Sequence, residues 1–336
     1  MKHSIRYALV VAAAVLLAGG CAKKQEAKTA ENPSFRIGVS KIVSHPALDA
    51  TEQGIQDELA ARGIPAVFDL QNANGDVNTA TQIAQKFLVD KVDAVVAIAT
   101  PNAIAAANTI KDKPVVFSVI TDPAGAGLVD ADLMGKGNVT GLSDMTDVLD
   151  HLKLFQRVAG IKTLGYVYTS SEANSASSLA SVEKACAEIG ISLVTQSINN
   201  SSEVKQATET IVKRVDGIYL TTDNTVFSAL PALIEVALAN KKPVFSSDTT
   251  SAVDGGCLIA SGFDYYKAGR ATGAILADVL QGKKPADIPV KFLKDPSEMD
   301  FIIDLDVAKI CGIDFPQDIL DTAGKVFENG KLTTRN

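Results

Sequence analysis

The sequence predicts an α/β protein built as two doubly wound parallel-sheet lobes joined by a multi-crossover hinge. Three observations predict it. Short β-branched runs alternate with amphipathic segments from Phe35 onward, the pattern of parallel strands covered on both faces. The alternation then runs a second time, at an offset of about 125 residues. After Ser251 too little chain remains for a third core, so that segment must complete the first two lobes. With 336 residues, 46% of them hydrophobic and 21% charged, the chain has enough apolar material for both cores, which excludes disordered, collagen-like and multi-span membrane classes.

The N-terminus comes first. Lys2 and Arg6 precede an apolar run from Ala8 to Ala18 that is too short to span a bilayer and has the length of a signal-peptide core. It ends in Leu17-Ala18-Gly19-Gly20-Cys21, small residues before a Cys as in a bacterial lipobox, with Ala18 where that motif usually carries Leu. The expectation is a signal peptide over 1–20, lipidation of Cys21 and a polar, aperiodic tether over 21–34. An ordinary secretory peptide is the plainer alternative. Loss of residues 1–20 removes two positive charges and no acid, so the net charge of −7 becomes −9. An acidic chain without a Lys/Arg block offers no face to nucleic acid. The cysteines at 21, 186, 257 and 311 form no C-x-x-C and no Cys/His cluster, so neither structural zinc nor a redox dithiol is expected.

In the first lobe, strands are expected at 36–40, 66–70, 94–99 and 115–120. The helix after Asn74-Gly75-Asp76 carries Val77, Ala80, Ile83 and Phe87 on one stripe, and Gly63 caps the helix before it. In the second lobe, strands at 164–168, 192–197, 217–221 and 244–246 alternate with helices near 174–189, 202–213 and 225–240. Val92-Asp93-Ala94 lies over Val215-Asp216-Gly217, and Lys113-Pro114-Val115 over Lys242-Pro243-Val244. A strand at 257–260, a helix at 265–280, strands at 289–293 and 301–305 and a terminal helix near 316–328 complete the chain. These assignments place 35–122 with about 257–285 in the N-terminal lobe, and about 140–250 with about 288–336 in the C-terminal lobe. The hinge falls near 121–140, 249–260 and 283–290. Several crossings of a hinge between α/β lobes make a closing cleft.

Ligands of open parallel sheets bind beyond the carboxyl ends of the strands, so the loops after each strand are the candidates. They supply Ser44, His45, Asn72, Thr100, Pro101, Thr121 and Asp122 from the first lobe, and Ser170, Asp223, Asn224 and Asp248 from the second. Phe263 and Tyr265 lie in a segment that must pass near the hinge. Ser, Thr, Asn and Asp at such junctions are also the preferred helix caps, which is the plain reading of any one of them. Asp122, Asp223 and Asp248 rise above it together, because carboxylates converging on one cleft suit a ligand with a cationic amine. The absence of Trp makes an aromatic platform for a sugar less suited to this chain. No G-x-S-x-G, P-loop or G-x-G-x-x-G after the first strand is present, and His3, His45 and His151 are the only histidines. The chain is read as no enzyme, without cofactor or metal; a secreted α/β enzyme working through His45 and Asp122 is the alternative.

The segments Ile37-Gly38-Val39, Ser44-His45-Pro46-Ala47-Leu48-Asp49, Ala99-Thr100-Pro101, Val119-Ile120-Thr121-Asp122-Pro123 and Asn138-Val139-Thr140-Gly141-Leu142-Ser143-Asp144 occur in that order. Thr222-Asp223-Asn224-Thr225-Val226 and Asp264-Tyr265-Tyr266, with Gly269-Arg270-Ala271-Thr272-Gly273, follow. Their order and spacing resemble the ABC transporter substrate-binding lipoproteins of the tryptophan/tyrosine-binding type, over nearly the whole mature chain. One departure is that neither Thr146 nor Asp147 is the Pro expected there. The resemblance implies the type I periplasmic-binding-protein fold. It also implies a monomer, lipid-anchored in the cell envelope through Cys21, that captures a small polar solute and delivers it to an ABC permease and its ATPase. An amino acid, aromatic for preference, is the implied solute, and a sensory adaptor for a membrane receptor is the other role such a protein fills.

Overall fold

The structure is a computed structural model that describes residues 34–293 and 295–335. The signal peptide expected over 1–20, Cys21 and all but the last residue of the expected tether lie outside the described residues. The chain opens with β1 (Phe35–Lys41), α1 (Pro46–Ala61), β2 (Ala66–Asn72), α2 (Val77–Val89), β3 (Ala94–Ile98), α3 (Thr100–Thr109), β4 (Val115–Ile120) and β5 (Val139–Ser143). It continues through α4 (Val148–Ala159), β6 (Thr163–Thr169), α5 (Ala173–Ile189), β7 (Ser192–Ile198), α6 (Val204–Ile211), β8 (Gly217–Leu220), α7 (Asn224–Ser228), α8 (Leu230–Ala239), β9 (Val244–Ser246) and β10 (Ile259–Phe263). Last come α9 (Tyr265–Leu280), β11 (Lys291–Phe292), β12 (Met299–Asp304), α10 (Leu305–Cys311), α11 (Gln317–Thr322), β13 (Lys325–Glu328) and β14 (Lys331–Thr334).

Two sheets result, ordered β2-β1-β3-β4-β5-β11 and β7-β6-β8-β9-β10-β12-β13-β14. The first five strands of each follow the same 2-1-3-4-5 winding, with parallel pairing throughout. Each sheet therefore has its topological switch point between its first and third strands in chain order. Strands β3 and β4 are buried along their whole length, as the continuous runs Ala94–Ile98 and Val115–Ile120 require of strands covered on both faces. In the second lobe Phe155, Tyr166, Tyr219 and Phe245 fill the core, and His151 sits among them with Nδ1 3.0 Å from the Tyr219 hydroxyl. On α2, Ala80, Ile83, Ala84 and Phe87 face inward, while Val77 stays 46% exposed because it begins the helix beyond the sheet.

The lobe boundaries differ from the expected ones. β5 belongs to the first sheet, so 139–143 lies with the N-terminal lobe, and β10 pairs with β9 and β12 in the second sheet, so 259–263 lies with the C-terminal lobe. β11 pairs with β5, which returns 291–292 to the first sheet. The chain accordingly crosses between sheets at 144–147, at Asp264 and at 293–298. The reason is the Gly/Asp-rich stretch 121–138, which looks like a lobe boundary but is an excursion that re-enters the same sheet. The C-terminal helix expected near 316–328 is α11 followed by the β13–β14 hairpin, because Asn329 and Gly330 both take positive φ, 53° and 72°, and turn the chain back in two residues.

Helices α1 and α9 cross in the first lobe with their backbones in contact. A Cβ on Gly269 would stand 2.2 Å from the Thr51 carbonyl oxygen, and one on Gly54 2.3 Å from that of Tyr266. Only glycine permits this approach. The crossing sets the spacing between the N-termini of the two helices, where His45 and Tyr265 stand.

Candidate functional site

A cleft of about 330 Å³, part of it open to solvent, lies where the carboxyl ends of the two sheets face each other. His45, Ala47 and Leu48 enter it from the N-terminus of α1, Ala99 and Thr100 from that of α3, and Val119 and Thr121 from the end of β4. Asp144, Asn174, Thr222, Asn224, Phe227, Asp248 and Tyr265 complete it. The loops after β1 and β3, and those after β6 and β8, are the switch-point loops of the two sheets, so the duplicated winding alone brings them to one place.

Of the residues expected at the site, His45, Thr100, Thr121, Asn224, Asp248 and Tyr265 line the cleft. Ser44 is exposed and donates to Asp49 at 2.7 Å, and Asn72 accepts the Asn74 N–H at 2.8 Å at the end of the outer strand β2. Pro101 is buried in the first turn of α3. Ser170 is exposed at the end of β6. Phe263 is 3% exposed and packs into the first-lobe core. Asp223 lies behind the cleft wall as the cap of α7, accepting from Val226 N at 3.0 Å, Thr169 N at 2.6 Å, Thr169 Oγ1 at 2.8 Å and Ser175 Oγ at 2.7 Å. Asp122 stands at the rim, where it accepts from Gly125 N and, across the cleft, from Ser177 Oγ of α5, both at 2.8 Å.

Ala47, Leu48, Ala99, Val119, Asp144, Asn174, Thr222 and Phe227 also line the cleft and are not among the expected residues. Leu48, Asn174 and Phe227 sit in first turns of helices, whose Cα–Cβ bonds tilt towards the helix N-terminus and hence into the cleft. That tilt was the available signal. Asp144 follows β5, a strand hidden by the glycines and aspartates before it.

The electrostatics are those of a buried, acidic pocket. Burial pushes the Asp144 carboxyl up to about 6, with Asp248 adding like charge, although Tyr265 OH donates to it at 3.1 Å and Thr121 Oγ1 at 3.4 Å. Burial likewise pushes Asp248 up to about 6 against two hydrogen bonds from Thr250, from N at 2.8 Å and Oγ1 at 2.6 Å. His45 is driven down to about 4, again by burial first, so its ring is neutral at physiological pH. Neither ring nitrogen meets hydrogen-bond geometry, though the Asn224 amide is near enough to oppose the shift. Thr100 Oγ1 and Asn174 Oδ1 are also buried without a partner. Buried polar atoms without partners carry a desolvation cost that a bound polar ligand relieves. Two non-glycine residues of the wall, Ala99 and Val119, hold φ of 74° and 54°, with a register shift between β4 and β5 at Val119. For a β-branched residue this is strain of about 1–2 kcal/mol, kept where the wall of a site needs an unusual backbone.

The lobes touch across the cleft. Thr121 Oγ1 and Thr222 Oγ1 lie 2.9 Å apart, and the rings of His45 and Phe227 stack with centroids 6.0 Å apart. The relatives accord with this closed arrangement. The chain is 36% identical over 296 residues to the Tyrosine-binding protein of Clostridioides difficile, an alignment covering 87% of this chain and 85% of that protein. It superposes with a TM-score of 0.83, at 33% identity, on a Streptococcus pneumoniae ABC domain in complex with L-Trp, covering 88% of this chain and all of that one. Against the ligand-free, open structure of a substrate binding protein with adhesive properties from Clostridium difficile the TM-score is 0.63, at 35% identity, over 84% of this chain and 97% of that one. At nearly equal identity, the chain superposes better on the complex with L-Trp than on the ligand-free, open structure. The fold is that of the type I periplasmic binding proteins. Residues 36–327 match the family described as ABC transporter substrate binding protein, and the chain belongs to that family.

Proposed function

We propose that this protein is the extracytoplasmic receptor of an ABC importer for an aromatic L-amino acid, held to the membrane as a monomer by a lipid on Cys21, and that it hands its solute to the permease. One observation carries the reading: the closed cleft sets two buried carboxylates, Asp144 and Asp248, beside an apolar wall that includes Phe227, Leu48 and Val119. A zwitterion with an aromatic side chain matches both. Its ammonium neutralises the acidic side. Its carboxylate takes the unpartnered Thr100 hydroxyl and the free N–H groups at the N-termini of α1 and α3. Its ring packs against the apolar wall. The relatives named for tyrosine and bound to L-Trp support the same class of ligand.

Ligand-stripped protein is expected to be stabilised by L-tryptophan or L-tyrosine by about 2.7 kcal/mol at a hundredfold excess over Kd, a rise in Tm of about 5 °C. Sugars and nucleosides leave Tm unmoved. No shift with any aromatic amino acid up to millimolar concentration overturns the proposal.

Binding is also expected to depend on pH, because the carboxylates must be ionised to hold an ammonium. With Asp144 and Asp248 both raised to about 6, protons compete with the ligand below that pH. His45, lowered to about 4, stays neutral through the same window. Isothermal titration at pH 5 is expected to give a Kd at least about tenfold weaker than at pH 7.5. A flat profile between those values would remove the carboxylates from the ammonium site.

A further inference from the structure

Glu172 precedes α5 and lies outside the cleft lining, yet it is 5% exposed and gathers five hydrogen bonds from the residues around it. Its Oε1 accepts from Thr225 N at 3.1 Å and Thr225 Oγ1 at 2.6 Å. Its Oε2 accepts from Asn224 Nδ2 at 2.6 Å, Asn174 Nδ2 at 3.1 Å and, more weakly, Asn224 N at 3.4 Å. Both asparagines line the cleft. Asn174 Nδ2 also donates to the Thr222 carbonyl oxygen at 2.9 Å, so both of its amide hydrogens are engaged and its Oδ1 is left buried with no partner.

This arrangement fixes the orientation of each amide. Rotating the Asn174 amide by half a turn would set Oδ1 against Glu172 Oε2 and the Thr222 oxygen, three acceptors with no proton among them. The same rotation at Asn224 would set its oxygen against Glu172 Oε2. A carboxylate has no N–H to offer, so it enforces one orientation, which a neutral amide in its place does not. We propose that Glu172 is a positioning residue for specificity: by holding the NH2 groups of Asn174 and Asn224 it leaves their carbonyl oxygens for the cleft, and so makes the second lobe an acceptor surface that selects a ligand bearing an ammonium. The selected class is amino acids, as against the 2-oxo, 2-hydroxy or deaminated acids with the same side chain. This rests on the amino-acid reading above.

Glu172→Gln tests it. The Gln carbonyl retains the Thr225 bonds, its NH2 faces the two asparagines, and their oxygens turn to meet it, which presents N–H groups to the cleft. Binding of L-tryptophan is expected to weaken about tenfold or more, the worth of a charge-assisted hydrogen bond, whereas binding of indole-3-propionic acid, which lacks the amine, is not weakened. A loss shared equally by both ligands would mark a merely structural role and overturn the proposal, as would an unchanged ratio. A second measurement needs neither variant nor ligand. In the wild-type protein the side-chain NH2 protons of Asn174 and Asn224 are expected to exchange slowly with solvent by NMR, and free exchange overturns the proposal. If wild-type protein binds no aromatic amino acid, the ligand reading falls and amide exchange still decides whether Glu172 holds the two asparagines. If it binds and the Gln variant keeps the wild-type preference, only the role of Glu172 falls.

Discussion

Asp144→Asn is expected to weaken binding of L-tryptophan or L-tyrosine about a hundredfold while leaving the ligand-free protein as stable as before, or more so. The loss follows from removing one partner of a buried charge pair, which costs about 2–5 kcal/mol of binding, a tenfold change being about 1.4 kcal/mol. The stability effect has the opposite sign for a reason that lies in the burial of the carboxyl. The Asp144 carboxyl rises from 3.8 to about 6 because burial penalises its charged form. Between about pH 4 and 6 the folded chain therefore holds a proton that the unfolded chain has released. Its contribution to stability is present below pH 4 and lost as pH rises through 6. At neutral pH the ionised group opposes folding, and an Asn of the same shape removes that penalty while its oxygen still accepts from Tyr265. Titration calorimetry and thermal melts at pH 7.5 check the two halves separately. A variant that binds like wild type would exclude Asp144 from the ligand site.

The second large effect is expected at a position outside the cleft lining. Gly269→Ala places a methyl group 2.2 Å from the Thr51 carbonyl oxygen and 3.0 Å from the Gly54 Cα, where no flexible side chain can move aside. The two helices must separate, which costs about 1–3 kcal/mol in a packed core and lowers Tm by several degrees. Separation also moves Tyr265 relative to His45 and Leu48, so ligand affinity is expected to fall with stability. Gly63→Ala serves as the control. Its Cβ meets nothing within 4 Å, and its cost comes only from a φ of +66°, so it lowers Tm without touching affinity. Equal affinities in the two variants would refute the link between the helix crossing and the cleft.

The parts of the fold that depend on local pattern were legible in the sequence. Buried parallel strands announce themselves as unbroken apolar runs, and the repeated Lys-Pro-Val entries at 113–115 and 242–244 marked the fourth strand of both windings. Pairing partners were not legible, because hydrophobic composition does not state whether Ile259–Phe263 lies beside a neighbour of the first or the second lobe. The β13–β14 hairpin was a different case. Asn329-Gly330 is the strongest short-range signal for such a turn, and it lies just beyond the helix expected near 316–328. At the site, loop residues after strands were easy to nominate, but a nominated Asp is a cap as readily as a ligand contact. Asp223 and Asp248 show the division. Both cap short helices, yet the donors to Asp223 come from the end of β6, from α5 and from α7 and wall it off, whereas Asp248 keeps a face to the cleft.

The contacts that hold the lobes together in the closed form are few and exchangeable. A pair of threonine hydroxyls, a serine on Asp122 and a stacked His45–Phe227 pair are each replaced at little cost by water when the cleft opens, since a single such hydrogen bond is worth about 1 kcal/mol net. Opening would therefore cost little in these contacts, and a solute would tip the balance by its differential affinity for the two forms. A swing from 1:99 to 99:1 requires only about 5.5 kcal/mol, well within the binding energy of a micromolar ligand. The hydroxyl rim therefore makes the molecule a sensitive reporter of occupancy: loading is converted into a change of outline, which is the property a membrane partner needs in order to tell a full receptor from an empty one.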